Sequence, residues 1–193
     1  MEINVVLASG SPRRQELLKY IFNDFTVKVS NIEEIIPENL NATKIPEYLA
    51  EIKAKDIASK FPNSLVIGAD TVVIVGNTVL GKPKNRAEAY EMLKSLSGTT
   101  HKVITGCALL LNGNYRTFSV ITEVEFYPLT ENEIEEYIAS DEPYDKAGGY
   151  GIQSKGALLV KGIKGDYFNV VGFPIAELKR QITKIKTANY KIP

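Results

Sequence analysis

The feature that most constrains the fold of this chain is a twelve-residue apolar segment, SLVIGADTVVIV, at residues 64–75. Its β-branched residues favour an extended strand that is buried in a sheet. Gly76-Asn77 follows directly and predicts a tight hairpin turn into a short second strand, TVLG. The segment therefore predicts a sheet with a long strand, and one carboxylate, Asp70, lies in the middle of it.

The rest of the chain alternates between strand and helix patterns. Together they predict an α/β fold with a long mixed sheet, because neither element type dominates. We expect further strands at 3–9, 25–30, 101–111 and 118–129, and helices from Pro12 and over 45–61, 86–96 and 132–140, with a last helix from about Ile175. Asn85 with Glu88, and Thr130 with Glu133, have the spacing of helix N-terminal capping boxes. We interpret residues 161–174, KGIKGDYFNVVGFP, as a loop.

Composition narrows the classes of protein. The 23 lysines and arginines balance the 23 aspartates and glutamates, which disfavours stable nucleic-acid binding. No apolar run approaches the roughly 20 residues that cross a bilayer, and the N-terminus lacks a signal-peptide pattern. A single cysteine excludes an internal disulfide framework. We therefore expect a cytoplasmic, soluble protein with no membrane partner, and the sequence leaves a homodimer open.

Two arginines stand where a helix should begin. In ASGSPRRQELL, Ser11 suits the N-cap and Pro12 the first helical position, so Arg13 and Arg14 lie in the first turn. Cations there oppose the helix dipole. A bound phosphate chain would resolve the conflict by accepting hydrogen bonds from the arginines, from Ser9 and Ser11 and from free N–H groups. A pair of solvated surface arginines is the alternative.

Asp70 is the second candidate, because a carboxylate in an apolar strand is costly unless it is paired or bound to a metal. It could ligate a metal, act as a base that activates water, or close a bend after Gly68. One carboxylate makes a poor magnesium site, so a partner is needed. Glu33 and Glu34 follow a predicted strand and could supply it, or they could be a solvated pair.

Two lysines and a glycine-rich segment complete the candidates. Lys53 lies on a helical face that it shares with Ala50, and Lys82 precedes a proline in extended backbone. Either could be an ordinary surface lysine. The segment EPYDKAGGYGIQ, residues 142–153, allows close backbone approach to a ligand. It carries a charge pair, Asp145-Lys146, and an amide, Gln153, that could read a base edge.

Other chemistries lack support in the sequence. There is one histidine, His101, and no G-x-S-x-G motif, so a serine hydrolase triad is not indicated. Cys107 lies in an apolar strand and is better interpreted as core than as nucleophile. The P-loop pattern GxxxxGK[ST] is absent.

The candidate segments, in this order, resemble the Maf family of nucleoside triphosphate pyrophosphatases. The resemblance runs from about Leu7 to Pro174. The matching segments are ASGSPRRQELL, the glutamate pair near position 33, EIKAK, GADTVV, GKPKN, LSGTTHKVITG, SDEPYDKAGGYGIQ and GDYFNVVGFP. The resemblance implies one such domain over residues 1–193. The implied fold is similar to that of the inosine-triphosphate pyrophosphatases: an elongated mixed sheet flanked by helices, with two lobes and a central cleft.

The resemblance also implies a reaction and roles for the candidate residues. A nucleoside triphosphate would be hydrolysed between its α- and β-phosphates, with a divalent cation, Mg²⁺ or Mn²⁺. Asp70 would accept a proton or bind the metal, with Glu34, rather than Glu33, as the second metal ligand. The triphosphate would be held by Ser9, Ser11, Arg13 and Arg14, and its charge offset by Lys53, Lys82 and Lys146.

Three positions resemble the branch of the family that acts on dTTP and UTP. These are Arg13, Thr71 and Gln153, and Asp145 joins them as a substrate-binding candidate. An amide such as Gln153 can pair with the edge that thymine and uracil share. The family is also associated with inhibition of septum formation, so a division-regulating binding protein and a non-catalytic nucleotide sensor are the alternative functions.

Overall fold

The structure is a computed structural model that describes residues 3–185. Within these residues, seven strands and six helices follow one another, with short 3-10 turns between some of them. The strands are β1 (Asn4–Leu7), β2 (Thr26–Val27), β3 (Ser64–Val75), β4 (Thr78–Leu80), β5 (Thr100–Leu111), β6 (Asn114–Phe126) and β7 (Val160–Lys164). The helices are α1 (Pro12–Leu18), α2 (Ile45–Lys60), α3 (Arg86–Leu96), α4 (Glu131–Ile138), α5 (Tyr167–Val171) and α6 (Ile175–Thr183).

The strands form one mixed seven-stranded sheet. Its order is β2-β1-β3-β5-β6-β7, and β4 pairs with β3 off this path. β1 is parallel to both of its neighbours, whereas β3 with β4, and β6 with β7, are antiparallel. The long strand over residues 64–75, the hairpin after it and the mixed α/β fold are therefore confirmed.

Local hydrogen bonds explain where the helices begin. The Asn85 side chain accepts from the Glu88 amide, as its spacing predicted, while the Glu88 carboxylate accepts from the Lys84 amide, one residue further back than in a capping box. At α4, Thr130 and Glu133 make both bonds of the capping box. These charged and polar caps satisfy amides that have no partner within their own helix.

The chain divides into two compact units. Unit 1 comprises residues 1–70, 105–120 and 172–193, and unit 2 comprises residues 71–104 and 121–171, of which 3–185 are described. The single domain over residues 1–193 stays a prediction, as does a cleft.

In unit 1, helix α2 lies directly against two strands. A β-carbon at Gly68 would come within 2.3 Å of the Ala50 carbonyl oxygen, and one at Gly106 within 2.2 Å of the Glu47 amide nitrogen. Any side chain at these two glycines would therefore push α2 away from β3 and β5. Lys53 lies one helical turn after Ala50. The close packing of α2 therefore places Lys53 over the middle of β3.

In unit 2, the core is built from α3, α4 and the strand residues below them. Its largest members are aromatic: Phe126, Tyr137 and Tyr150, with the buried His101 beside them. The rings of His101, Phe126 and Tyr150 meet edge to face, with centroids 4.7–5.4 Å apart. Tyr150 brings the glycine-rich segment into this core.

Two local predictions were wrong. The strand predicted at 25–30 is only two residues long, Thr26–Val27. Residues 161–174, interpreted as a loop, contain most of β7 and all of α5. Strand β7 and helix α5 depend on tertiary contacts. β7 pairs with β6. In α5, the buried Asn169 side-chain amide donates to the Val103 carbonyl at 3.0 Å and to the Thr122 hydroxyl at 2.9 Å.

Candidate active site

The loop between β1 and α1 presents two serines. Ser9 is buried at the end of β1, and its hydroxyl accepts from the Ser11 amide at 3.4 Å. Ser11 is the N-cap of α1 and Pro12 its first residue, as predicted, but the Ser11 side chain makes no capping bond. The Ser11 hydroxyl is therefore not committed to capping the helix.

The two arginines of α1 are adjacent in the chain, and Arg14 has well-defined protein partners. Its Nε donates to the Gly172 carbonyl at 2.9 Å, and its Nη1 donates to the Ala69 carbonyl at 2.8 Å and to the Ser9 hydroxyl at 3.0 Å. Burial lowers the pKa of Arg14, and the nearby Asp70 carboxylate acts in the opposite direction. Arginine nonetheless stays cationic in proteins. Arg13 is partly buried in the same turn.

A three-residue ion cluster forms in unit 1 around Lys53. The ammonium lies 2.7 Å from the Asp70 Oδ1 and 2.9 Å from the Glu34 Oε1. The Asp70 and Lys53 side chains are 15% and 17% exposed, whereas Glu34 is 48% exposed. Asp70 is thus a paired carboxylate, and the lysine on the Ala50 face of α2 is the group that pairs it. The structure brings together Asp70, Lys53 and Glu34, which the sequence singled out separately.

Glu34 lies at the apex of a tight backbone turn. The Ile35 amide donates to the Glu33 carbonyl at 3.0 Å, which closes a three-residue γ-turn with Glu34 at its apex. Glu34 is an ion-pair partner of Lys53, and both glutamates are exposed. The choice of Glu34 over Glu33 as the partner of Asp70 stays a prediction. β2 ends at Val27, and residues 28–33 form neither helix nor strand, so the glutamates do not directly follow a strand.

Unit 2 joins the Lys82 loop to the glycine-rich segment. The Gly148 amide donates to the Gly81 carbonyl at 2.9 Å, and Gly148 has a positive φ of 73° that favours glycine. The Gly148 α-carbon is also packed against Val73, so a side chain there would clash. Lys82 itself is exposed, next to the residue that makes this bond.

The remaining candidates of unit 2 differ in exposure. The Lys146 ammonium donates to the Glu142 carbonyl and to the Asp145 carboxylate, both at 2.6 Å, and its side chain is mostly buried. Thr71, directly after Asp70 in β3, is partly buried. Gln153 is exposed, and its side chain makes no capping bond to the 3-10 turn that follows it.

Two buried tyrosines, which sequence reasoning missed, hold the segment that carries Gln153. The Tyr150 hydroxyl is hydrogen-bonded to His101 Nε2 at 2.7 Å, and the Tyr137 hydroxyl accepts from the Gly151 amide at 3.1 Å. The only available signal was weak: Tyr137 lies three residues after Ile134, on the buried face of α4. Burial raises the pKa of both phenols, so both keep their protons.

The two residues that the sequence set aside as nucleophile or base are both buried. Burial lowers the pKa of His101 to about 4 and raises that of the Cys107 thiol to about 12. A neutral imidazole in an aromatic core and a protonated thiol in β5 are structural groups. The assignment of Cys107 to the core is confirmed.

Residues 3–185 contain neither a cluster of metal-ligating side chains nor a helix suited to a membrane. Among residues 3–185, no three or more His, Cys, Asp or Glu side chains cluster as a metal site would require. Within the same residues, no helix has the length and apolar character needed to span a membrane.

Structural neighbours share the fold. The Ham1 protein of Staphylococcus aureus aligns with a TM-score of 0.59 and 19% identity over 95% of this chain and all of that one. A HAM1 protein from Coxiella burnetii aligns with a TM-score of 0.53 and 18% identity, over the same shares of the two chains. At these identities the likeness concerns the fold alone, and it confirms the mixed sheet flanked by helices.

Sequence relatives are much closer. A dTTP/UTP pyrophosphatase of Bacillus cytotoxicus is 52% identical over 92% of this chain and 93% of its own. Proteins of the same name from Bacillus mycoides and Halalkalibacterium halodurans are 50% and 47% identical, again over 92% of this chain and 93% and 94% of theirs. The family model described as Maf-like protein matches residues 4–185. This chain belongs to the Maf family.

Proposed function

We propose that this protein hydrolyses dTTP and UTP to the nucleoside monophosphate and pyrophosphate. Relatives about half identical over nearly the whole chain carry the name dTTP/UTP pyrophosphatase. The structural observation that carries the proposal is the pairing of Lys53 with both Asp70 and Glu34. A carboxylate that is held in place and still partly exposed can take a proton from an attacking water.

The proposed mechanism assigns the chemistry to unit 1. Asp70 accepts the proton of the water that attacks the phosphorus, and Lys53 holds the carboxylate in place through the 2.7 Å contact. Arg13, Ser9 and Ser11 bind phosphate oxygens. No covalent intermediate is needed, because positioning and charge stabilisation are sufficient for reactions at phosphorus.

A divalent cation, Mg²⁺ or Mn²⁺, is part of the proposal. The donor set fits it: Glu34 and Asp70 supply two carboxylates near one another, and magnesium commonly binds one or two carboxylates while waters and substrate phosphates complete its shell. When bound, the cation would neutralise charge on the phosphate chain.

Unit 2 is proposed to bind substrate through its polar residues. Lys82 and Lys146 offset phosphate charge, with Asp145 orienting Lys146 through the ion pair between them. Gln153 and Thr71 select the base. The support is the resemblance of these positions to the dTTP and UTP branch, and the exposure of Gln153 on a well-anchored loop.

Further parts of the proposal concern the protein as a whole. We propose that residues 1–193 act as one functional domain, in the cytoplasm, where nucleoside triphosphates are found. The balanced charge supports the expectation of no stable nucleic-acid binding. A homodimer stays an open prediction.

The test is a substrate panel with purified protein and Mg²⁺ or Mn²⁺. It covers dTTP, UTP, CTP, ATP, GTP, dITP and 7-methyl-GTP, with pyrophosphate and orthophosphate measured separately. We expect pyrophosphate from dTTP and UTP at rates well above the others. Pyrophosphate mainly from 7-methyl-GTP or dITP would refute the assigned base selection. No product with either metal would favour the regulatory or sensor functions.

A further inference from the structure

We propose that Arg14 is a positioning residue for Asp70, and that phosphate binding at the start of α1 falls to Arg13. The proposal rests on the proposed function, because it assigns Arg14 a part in the same reaction. It separates two adjacent residues that the sequence could only treat as a pair.

The contact that carries the inference is made to the backbone next to Asp70. Arg14 Nη1 donates to the Ala69 carbonyl at 2.8 Å. That carbonyl and the Asp70 amide belong to one planar peptide group. Fixing the carbonyl therefore fixes the plane from which the Asp70 side chain departs.

Asp70 is then held at both of its ends. Arg14 holds the peptide before it, and Lys53 holds the carboxylate oxygen at 2.7 Å. Arg14 also ties this point to two others, the Ser9 hydroxyl at the end of β1 and the Gly172 carbonyl before α6. A base needs such support, because a displacement of about 1 Å can cost about a hundredfold in rate.

The chemistry of arginine explains why this residue type stands here. Its Nε and Nη1 groups donate in different fixed directions within one plane, so one side chain can bond carbonyls from chain positions 69 and 172 together. A lysine ammonium is a point donor without that geometry. The partly buried cation is also opposite in charge to Asp70, which raises the pKa of Arg14 against the effect of burial.

Helical geometry places Arg13 in a different direction. Successive residues of an α-helix are rotated by about 100° about its axis. When Arg14 points toward the backbone at Ala69 and Gly172, Arg13 cannot point the same way. The two arginines therefore have separate tasks.

The experiment compares Arg14→Lys with Arg13→Lys, and uses Arg116→Lys as the control. Arg116 is exposed and donates to the Gln181 side chain, and it is outside the proposed machinery. With dTTP and Mg²⁺, we expect Arg14→Lys to lower kcat about 10- to 100-fold with KM within about twofold of wild type. We expect Arg13→Lys to raise KM and to weaken binding of inorganic pyrophosphate measured by calorimetry, and Arg116→Lys to match wild type.

A second measurement does not depend on turnover. Hydrogen exchange of the β3 amides near Asp70 should become faster in Arg14→Lys and stay unchanged in Arg13→Lys. Should Arg14→Lys not fold, Arg14→Gln replaces it, because its amide can still donate to one of the two carbonyls.

The outcomes separate the possibilities. Raised KM and weaker pyrophosphate binding in Arg14→Lys, with kcat unchanged, would make Arg14 a phosphate ligand and overturn the proposal. Kinetics and β3 exchange both equal to wild type would also overturn it. An inactive wild-type protein would instead refute the proposed function, while the exchange measurement would still test the link between Arg14 and Asp70.

Discussion

Unit 1 and unit 2 hold their candidate residues by different means. In unit 1, Asp70 is fixed by charged side chains, since Lys53 binds its carboxylate and Arg14 binds its backbone. In unit 2, Gln153 is carried by a segment that neutral groups anchor, the hydroxyls of Tyr137 and Tyr150. Charged side chains therefore position Asp70, the residue proposed to do chemistry. Neutral, buried hydrogen-bonding groups position the segment of Gln153, the residue proposed to recognise a base.

The difference has a physical reason. A carboxylate within an apolar strand requires opposite charge nearby, because an unpaired buried charge is very costly. An exposed amide has no such requirement and needs only a backbone that keeps its position. The two units should accordingly respond to different perturbations, unit 1 to removal of a charge and unit 2 to removal of a hydroxyl or to protonation of its core.

The largest effect is expected for Asp70→Asn. Asparagine has the same shape but cannot take a proton from water, so kcat for dTTP should fall about 10²- to 10⁴-fold. Circular dichroism should show an unchanged fold, and Asp24→Asn, at an exposed position, should have wild-type activity. Near-normal turnover of Asp70→Asn would remove it from the mechanism.

Acid should destabilise the protein through His101. Its pKa is about 4 in the folded protein, against 6.5 when unfolded. Between these values the unfolded chain binds a proton that the folded one does not, so stability falls as the pH drops through this range and is unaffected above it. Within the described residues His101 Nδ1 has no hydrogen-bond partner, which makes its protonation in the core unfavourable.

The measurement is the free energy of unfolding at pH 7.5 and pH 4.5 for wild type and His101→Gln. Wild type should lose about 2 to 3 kcal/mol more than the variant over this range. Equal losses in the two proteins would show that His101 is not responsible.

Removal of a charge from the ion cluster should weaken metal binding. In Glu34→Gln, we expect the Mg²⁺ concentration for half-maximal activity to rise about tenfold, equivalent to about 1.4 kcal/mol. Glu33→Gln is the matched control, because Glu33 is its exposed neighbour. Equal metal dependence in the two variants would exclude Glu34 as a ligand.

The smallest effect is expected in unit 2. Tyr137→Phe keeps the ring in the core and removes the acceptor of the Gly151 amide, so stability should fall by about 1 kcal/mol. The preference for dTTP over CTP should fall severalfold, because the Gln153 segment loses an anchor. Tyr20→Phe, on an exposed tyrosine, is the control. An unchanged preference would separate Tyr137 from base selection.

Much of the fold could be predicted from local pattern. Segment 64–75, the Gly76-Asn77 turn and the box at Thr130 and Glu133 depend on residues close in the chain, and all three are confirmed. The family was predicted from its sequence motifs, and the core position of Cys107 from the apolar residues around it. The strand β7 was not, because its Lys-Gly composition favours a strand only when β6 lies beside it.

The sequence by itself determined which residue types could do chemistry: a carboxylate in an apolar strand, two glutamates, several lysines and an arginine pair. Only the tertiary structure decided how they are connected. It paired Glu34 with Lys53, joined Lys53 to Asp70 across seventeen positions of the chain and gave Arg14 backbone partners at 69 and 172. Such contacts form between residues far apart in sequence, so their partners follow from the packing of β3, α1 and α2 and not from spacing.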